Sequence, residues 1–315
     1  MNSIPTVNLA DFISGDTARK KQFVAQLGKA YQEVGFVAVQ NHGIEQQLVD
    51  DFYRSVEEFF ALPELVKRKY EVPGLAGQRG YTSFGKEHAK HSQAADLKEF
   101  WQIGQTVEDG EIVSDNYPEN VLVTEIPQFN ELGYRLYRSF ENSGRFLLQS
   151  LALFLGLEES YFDDRIHNGN SILRAIYYPP ITQEPASAIR AEQHEDINLI
   201  TLLVGASADG LEVMDTAGNW VAVKTAPTEI VVNVGDMLQR LTNNTLKSTT
   251  HRVVNPPRER WHTPRFSIPF FLHPKSEMDL TCLNSCITPQ NPISYEPITA
   301  GEYLNERLRE IGLKK

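Results

Sequence analysis

Cysteine is nearly absent. In 315 residues only Cys282 and Cys286 occur, spaced C-x3-C, with no further thiols to complete a zinc site. Two thiols, buried or at the surface, fit a reducing cytoplasm, with a regulatory Cys282–Cys286 disulfide as the alternative. Positive charge is in deficit as well. Thirty Lys and Arg against 41 Asp and Glu give a formal charge of −11, which argues against nucleic acid and anionic membranes as partners. No run of 18 apolar residues is present, so a membrane-spanning helix is excluded. The opening residues, MNSIPTVNLADFISGD, lack the basic and apolar stretches of a cleaved secretion signal, and the expected location is cytoplasmic. There is no internal repeat, low-complexity tract or clear interdomain linker. What remains is an ordinary globular composition, 41% hydrophobic and 10% aromatic, in a chain long enough to bury a large core as one unit.

Apolar residues at helical spacing predict helices over about 18–34, 45–61 and 128–155, a short charged helix over 64–69 and a final amphipathic helix over 299–315. Asp11 or Asp16 is placed to cap the first, and Gly35 to stop it. Phe36 to Gln40 has strand character and turns at Asn41-His42-Gly43, where His42 has no partner at ligand spacing and reads as structural. Glycines mark Gly74 to Gly85 as a loop, and Asp96 to Gly104 is a short strand or helix. After Gly156 the pattern changes to short strands separated by turn residues, the pattern of an antiparallel barrel or jelly roll. The expected fold is therefore mainly β with flanking helices: a mostly helical region over about 1–165, a double-stranded β-helix core over about 166–290, and a C-terminal helix over about 291–315.

The chemistry concentrates in Ala191 to Val204, AEQHEDINLITLLV, which places His194 and Asp196 two residues apart where an apolar run begins. In a strand such a pair projects from one face. A third donor, His251, stands 55 positions after Asp196 in a second β-like stretch. Two imidazoles and a carboxylate on one side of an ion, with adjacent positions open, are the ligand set of non-haem Fe(II) oxygenases. Fourteen positions beyond His251 lie Arg265 and Ser267, another i, i+2 pair, offering a guanidinium and a hydroxyl to an anion. Tyr178, on the face shared by Arg174 and Ile176, could donate one more hydrogen bond. Singly, each part has an ordinary structural explanation; their order and spacing within about 75 residues make a metal site with a carboxylate site beside it. Arg79, Tyr81, Lys98, Trp101 and Phe270 are the side chains expected near a small polar substrate.

These words resemble the isopenicillin N synthase-like superfamily of Fe(II)/2-oxoglutarate-dependent dioxygenases. The matching residues are His194-x-Asp196, the run from Gly235 to Asn244, Lys247-Ser248 to His251-Arg252-Val253, and Arg265-Phe266-Ser267-Ile268-Pro269-Phe270-Phe271, together with Ile4 to Leu9, Gly35-Phe36, Asn41-His42-Gly43 and Tyr177-Tyr178-Pro179-Pro180. The resemblance covers nearly the whole chain. It implies that His194, Asp196 and His251 bind iron, that Arg265 and Ser267 hold the C5 carboxylate of 2-oxoglutarate, and that Tyr178 contacts the cosubstrate. Two positions depart from the pattern. Ile176 stands where many relatives carry an asparagine that contacts 2-oxoglutarate. Asn244 stands where many carry glycine, and is expected to take the left-handed turn conformation itself.

The implied activity is hydroxylation of a small organic molecule through a ferryl intermediate, with dioxygen consumed, succinate and CO2 released, and ascorbate as an auxiliary reductant. Desaturation or ring closure uses the same intermediate. The competing readings are an oxidase of the same superfamily that does not use 2-oxoglutarate, and a non-redox, metal-stabilised jelly roll that binds a ligand.

Overall fold

The computed structural model describes residues 4–75, 77–87, 96–111, 113, 117–184, 189–205 and 209–314. The chain opens with β1 (Thr6–Asn8), α1 (Leu9–Ile13), α2 (Thr17–Glu33), β2 (Phe36–Gln40), α3 (Gln46–Phe60) and α4 (Glu64–Lys67). It continues through β3 (Gly80–Thr82), β4 (Glu99–Gly104), the long helix α5 (Phe129–Phe154) and the single turn α6 (Asp163–Ile166). The second half runs β5 (Ile172–Tyr178), β6 (Ala191–His194), β7 (Ile200–Leu203), β8 (Leu211–Met214), β9 (Trp220–Ala222), β10 (Ile230–Val234), α7 (Asp236–Leu241), β11 (His251–Val253), β12 (Arg265–Ser267), β13 (Pro269–Leu272) and α8 (Ala300–Glu310).

The expected helices are present within a residue or two, except that α8 ends at Glu310 rather than near the last residue. Asp16 is the cap of α2: its Oδ1 accepts from the amides of Ala18 and Arg19 at 2.8 and 3.1 Å. Asp11 lies instead in α1, too short for periodicity to reveal, and pairs with Arg19. Asp96 to Gly104 resolves as strand from Glu99, and the glycine-rich stretch contains β3. Asn243 and Asn244 both take positive φ, 48° and 65°, so asparagine does supply the left-handed turn. Cys282 and Cys286 are buried free thiols. Among the described residues, no helix is long and apolar enough to cross a membrane.

A nine-stranded sheet runs β1-β2-β10-β7-β13-β5-β4-β3, with β12 also on β5; a four-stranded sheet runs β6-β11-β8-β9. The N-terminal region does more than cover the barrel, since β1 and β2 extend one edge of the large sheet and β3 and β4 the other. Helix α5 packs across the back of that sheet through Leu136, Phe140, Leu147 and Leu151, all fully buried. Gly144 allows the close approach, because a Cβ there would sit 2.4 Å from Leu272 Cδ1.

Strand parity then divides the large sheet into two faces. Leu173, Ala175, Ile200, Leu202, Ile230, Val232, Phe270 and Leu272 join the core against the helices. Their neighbours Arg174, Ile176, Tyr178, Thr201, Leu203, Val231, Asn233, Pro269 and Phe271 line a cavity of about 770 Å³ that also takes in residues of the small sheet. The architecture is a double-stranded β-helix with the cavity between its two sheets.

Candidate active site

His194 ends β6 and lies directly opposite His251 in the antiparallel pairing with β11. Opposed residues share a face, so the two imidazoles stand side by side, ring centroids 4.4 Å apart. Asp196 is not on that strand, as its spacing had suggested, but in the loop that follows it. The loop is held by α7: the amide of Asp236 donates to the Asp196 carbonyl at 2.7 Å, and that of Met237 to the Asn198 carbonyl at 3.1 Å. Gly235 permits this contact, since a Cβ there would meet the Asn198 carbonyl oxygen at 2.3 Å. Asp196 Oδ1 thereby comes within 3.9 Å of His194 Nε2 and 3.7 Å of His251 Nε2.

The surroundings prepare these three atoms for a cation. The Nδ1 positions of His194 and His251 face the carbonyls of Glu192 and Thr249 at 2.6 and 3.1 Å, which assigns the proton to Nδ1 and leaves the Nε2 lone pair free. Burial, then the neighbouring His251, lowers the pKa of His194 and keeps it neutral. Burial opposes the charge on Asp196, but His251, His194, Asn233 and Thr201 together hold its carboxyl below the usual range. Thr201 Oγ1 and Asn233 Nδ2 both donate to Oδ2, at 2.6 and 2.8 Å, so Oδ1 is the oxygen left for a metal. His194, Asp196 and His251 are the one group with metal-ligand geometry among the described residues, their donor atoms all within 4.8 Å of one another. Removing a donor to Oδ2, in Asn233→Ala or Thr201→Val, should lower metal affinity roughly 10- to 100-fold in a competition titration. Unchanged affinity would show that the ligand needs no such support.

At one end of the same cavity, Arg265 and Ser267 lie opposite Tyr178 and Ile176 in the β12–β5 pairing. Arg265, Ser267 and Tyr178 are all buried, and the Arg265 guanidinium sits 5.0 Å from the Tyr178 ring centroid. Near the same ring lies Arg190, only 2% exposed, its guanidinium 5.9 Å from the centroid. Arg190 donates to the Thr263 carbonyl at 3.0 Å, while its Nε is buried with no hydrogen-bond partner among the described residues. Burial and the nearby Arg265 lower its pKa to about 10. Nothing in the sequence marks this residue, because it belongs to no motif and precedes β6 in a loop.

The cavity also takes in Lys98, with Glu87, Asp96 and Arg174. Lys98 Nζ bridges Glu87 and Asp96 at 2.6 and 2.8 Å, and Arg174 Nη1 reaches Glu87 at 3.1 Å. Burial opposes the charge on Glu87, but Arg174 and Lys98 outweigh it and hold the carboxyl at about 2. Since the folded value lies below the ordinary 4.5, this stabilisation is complete above about pH 4.5 and is lost as pH falls towards 2. Thermal unfolding of the wild type should therefore shift downward across that window, and Glu87→Gln should flatten the dependence. An equally steep profile in the variant would assign the effect to other carboxylates.

Four expected substrate neighbours lie elsewhere. Tyr81 and Trp101 face the helices: Tyr81 bonds Glu99 and meets Phe59 edge-on, and Trp101 packs against Phe59, Tyr70 and Phe129. Phe270 stacks on Phe140 at 5.5 Å, on the core side of β13, whereas Phe271 is the one that faces the cavity. Arg79 is buried beside Tyr117, 5.8 Å from that ring, and donates to the Gln78 carbonyl. Of the Gly74 to Trp101 region, Gln78, Glu87, Asp96 and Lys98 line the cavity, and residues 88–95 lie outside the described residues. The C-terminal helix has a place that periodicity did not suggest, for Leu304, Arg307, Leu308 and Ile311 form part of the cavity wall.

Two β-sheets enclosing a two-histidine, one-carboxylate centre, with a buried arginine in the same cavity, define a non-haem iron oxygenase of the jelly-roll type. Known proteins agree. The family model for the non-haem dioxygenase in morphine synthesis N-terminal region matches residues 4–125, and that of the 2OG-Fe(II) oxygenase superfamily matches residues 169–274. Proline hydroxylase buaE of Petromyces alliaceus is 31% identical over 97% of this chain and 98% of its own length. A crystal structure from Caulobacter crescentus, assigned to the 2OG-Fe(II) oxygenase family, is 41% identical over 99% of this chain and all of that one, with a TM-score of 0.87. A full-length Neurospora crassa protein crystallised in complex with alpha-KG, which is 2-oxoglutarate, is 28% identical over 97% of this chain and 95% of its own, with a TM-score of 0.85. The chain belongs to the 2-oxoglutarate and Fe(II)-dependent oxygenase superfamily, and its cofactor and cosubstrate are Fe(II) and 2-oxoglutarate.

Proposed function

We propose that this enzyme hydroxylates a small polar molecule, with His194, Asp196 and His251 holding Fe(II) and Arg265, Ser267 and Tyr178 holding 2-oxoglutarate. The observation that carries this assignment is one cavity that joins the three convergent donor atoms to a buried guanidinium. The residues fit both groups. Neutral Nε2 atoms and one free carboxylate oxygen suit Fe(II), and the orphaned Nε of Arg190 beside Arg265 marks a pocket built for negative charge. Arg265 meets the C5 carboxylate with its two-pronged face, the hydroxyls of Ser267 and Tyr178 add hydrogen bonds, and Arg190, near the same ring, contributes positive field. Thr201 and Asn233 keep Oδ1 of Asp196 aimed at the metal. When bound, iron, 2-oxoglutarate and dioxygen supply the oxidising power, with succinate and CO2 as co-products. Lys98 and its partners face the substrate, and ascorbate serves only to keep the iron reduced.

The charge of −11 supports a free metabolite rather than nucleic acid as substrate, and the buried free thiols Cys282 and Cys286 fit action in a reducing cytoplasm. The test is succinate formation from 2-oxoglutarate by the iron-loaded protein under air, across a panel of small metabolites. Succinate matched one-to-one by hydroxylated product supports the assignment. Substrate oxidation without succinate would replace it with an oxidase.

A further inference from the structure

Resting on the reading above, a second recognition site can be assigned within the same cavity. Arg174 and Tyr178 share a face of β5 four residues apart, so the Arg174 group lies about 13 Å along the strand from the cosubstrate end, at ~3.3 Å per residue. There Arg174 is held by four residues. Its guanidinium lies 4.2 Å from the Phe100 ring centroid and 5.1 Å from that of Phe271, Nε donates to Gln102 Oε1 at 2.7 Å, and Nη1 donates to Glu87. Among the described residues Nη2 makes no hydrogen bond. Lys98 completes the set by bridging Glu87 and Asp96, so the buried Lys98 and the partly buried Arg174 meet two buried anions.

Beside them stands His273, just past β13 in the cavity wall and only 6% exposed. Its ring makes no hydrogen bond among the described residues, and Nδ1 is fully buried without a partner. A second orphan, Gln102 Nε2, lies behind Arg174. Arg174 Nη2 and the His273 ring, both in the cavity wall, are thus without hydrogen-bond partners among the described residues, and since unpaired buried polar atoms cost about 1–3 kcal/mol each, this part of the wall indicates a site completed by a ligand.

Charge and hydrogen-bonding capacity define that ligand. The four charged groups already balance, so a buried carboxylate or ammonium would arrive without a counter-charge. Arg174 Nη2 can only donate, whereas a neutral imidazole can accept at one nitrogen. Burial lowers the pKa of His273 to about 4, so the ring is neutral near pH 7. We propose that Arg174 and His273 form a substrate subsite for a neutral molecule carrying a carbonyl beside an N–H, the edge of a lactam or imide, with the carbonyl on Arg174 Nη2 and the N–H on the imidazole. The apolar remainder lies towards Leu304 and Leu308 of α8, which line the same cavity.

The experiment is calorimetric titration, without oxygen, of the Fe(II)- and 2-oxoglutarate-loaded enzyme with 2-piperidone, glutarimide and uracil, their N-methylated counterparts, and L-proline. At least one N–H compound should bind, its N-methyl derivative about tenfold or more weakly, and L-proline more weakly still. Arg174→Lys keeps the charge beside Glu87 but loses the fork, and His273→Gln keeps a polar group of similar bulk. Each should weaken the N–H compound about tenfold while 2-oxoglutarate, titrated first in the same cell, binds as in the wild type. Tighter binding of L-proline, no preference for the N–H form, no binding by the panel, or wild-type affinity in both variants overturns the assignment. Failure of 2-oxoglutarate to bind the wild type would instead remove the reading on which it rests, and unfolded variants are recognised by their loss of 2-oxoglutarate binding.

Discussion

Asp196→Ala loses its iron and all measurable turnover. The carboxylate is the only anion among the three donors, and without it two neutral imidazoles are left to hold a divalent cation. The loss exceeds that from removing Asn233 or Thr201, which act only through Asp196; a drop in affinity of roughly 100-fold or more is expected, given 10- to 100-fold for supporting residues. Asn233 Nδ2 and Thr201 Oγ1 also lose their common acceptor inside the protein, so the fold itself weakens modestly. Metal content after gel filtration, with circular dichroism to confirm folding, checks both effects. A folded Asp196→Ala that retains wild-type iron would show that another group, not this carboxylate, completes the centre.

Arg265→Ala produces the second large effect, on the cosubstrate rather than the metal. Truncating one partner of a buried charge pair costs about 2–5 kcal/mol, which corresponds to roughly 30- to several-thousand-fold weaker binding of 2-oxoglutarate. Iron content should remain that of the wild type, because among the described residues the hydrogen bonds that orient the three ligands come from Glu192, Thr249, Thr201 and Asn233. Arg265→Lys should recover part of the affinity through charge alone. Arg190→Met should show a smaller loss, since Arg265 lines the cavity and Arg190 does not. Titration of 2-oxoglutarate against each variant separates these outcomes, and wild-type affinity in Arg265→Ala would move the cosubstrate to another part of the cavity.

Much of this site was legible because it is written in strand parity. His194 and His251, and Arg265 with Ser267, are short-range patterns whose faces survive folding. Continuing the Arg265-Ser267 alternation leads to Pro269 and Phe271, and so away from Phe270, which helix α5 covers through Phe140. The same step back from Tyr178 reaches Ile176 and Arg174, a face evident in the sequence although only tertiary contacts show Arg174 meeting Glu87. Asp196 has the right spacing for a different reason, since its loop is positioned by the amides at the start of α7. Arg190, Gln102 and His273 were silent, because their roles depend on long-range packing that leaves a polar atom unpaired, and no local pattern encodes that. The cavity-facing side of α8 was equally hidden: amphipathicity identifies a buried stripe but not what the stripe covers.

The central claim is that the three-residue centre and the Arg265 pocket serve one bound 2-oxoglutarate. Anaerobic titration of the Fe(II)-loaded enzyme with 2-oxoglutarate, followed by visible absorption, tests it most directly. A new saturable band in the wild type, absent in His194→Ala for want of iron and shifted to much higher 2-oxoglutarate concentration in Arg265→Ala, is the predicted result. A wild-type protein that holds Fe(II) yet shows no spectral response to saturating 2-oxoglutarate would contradict it.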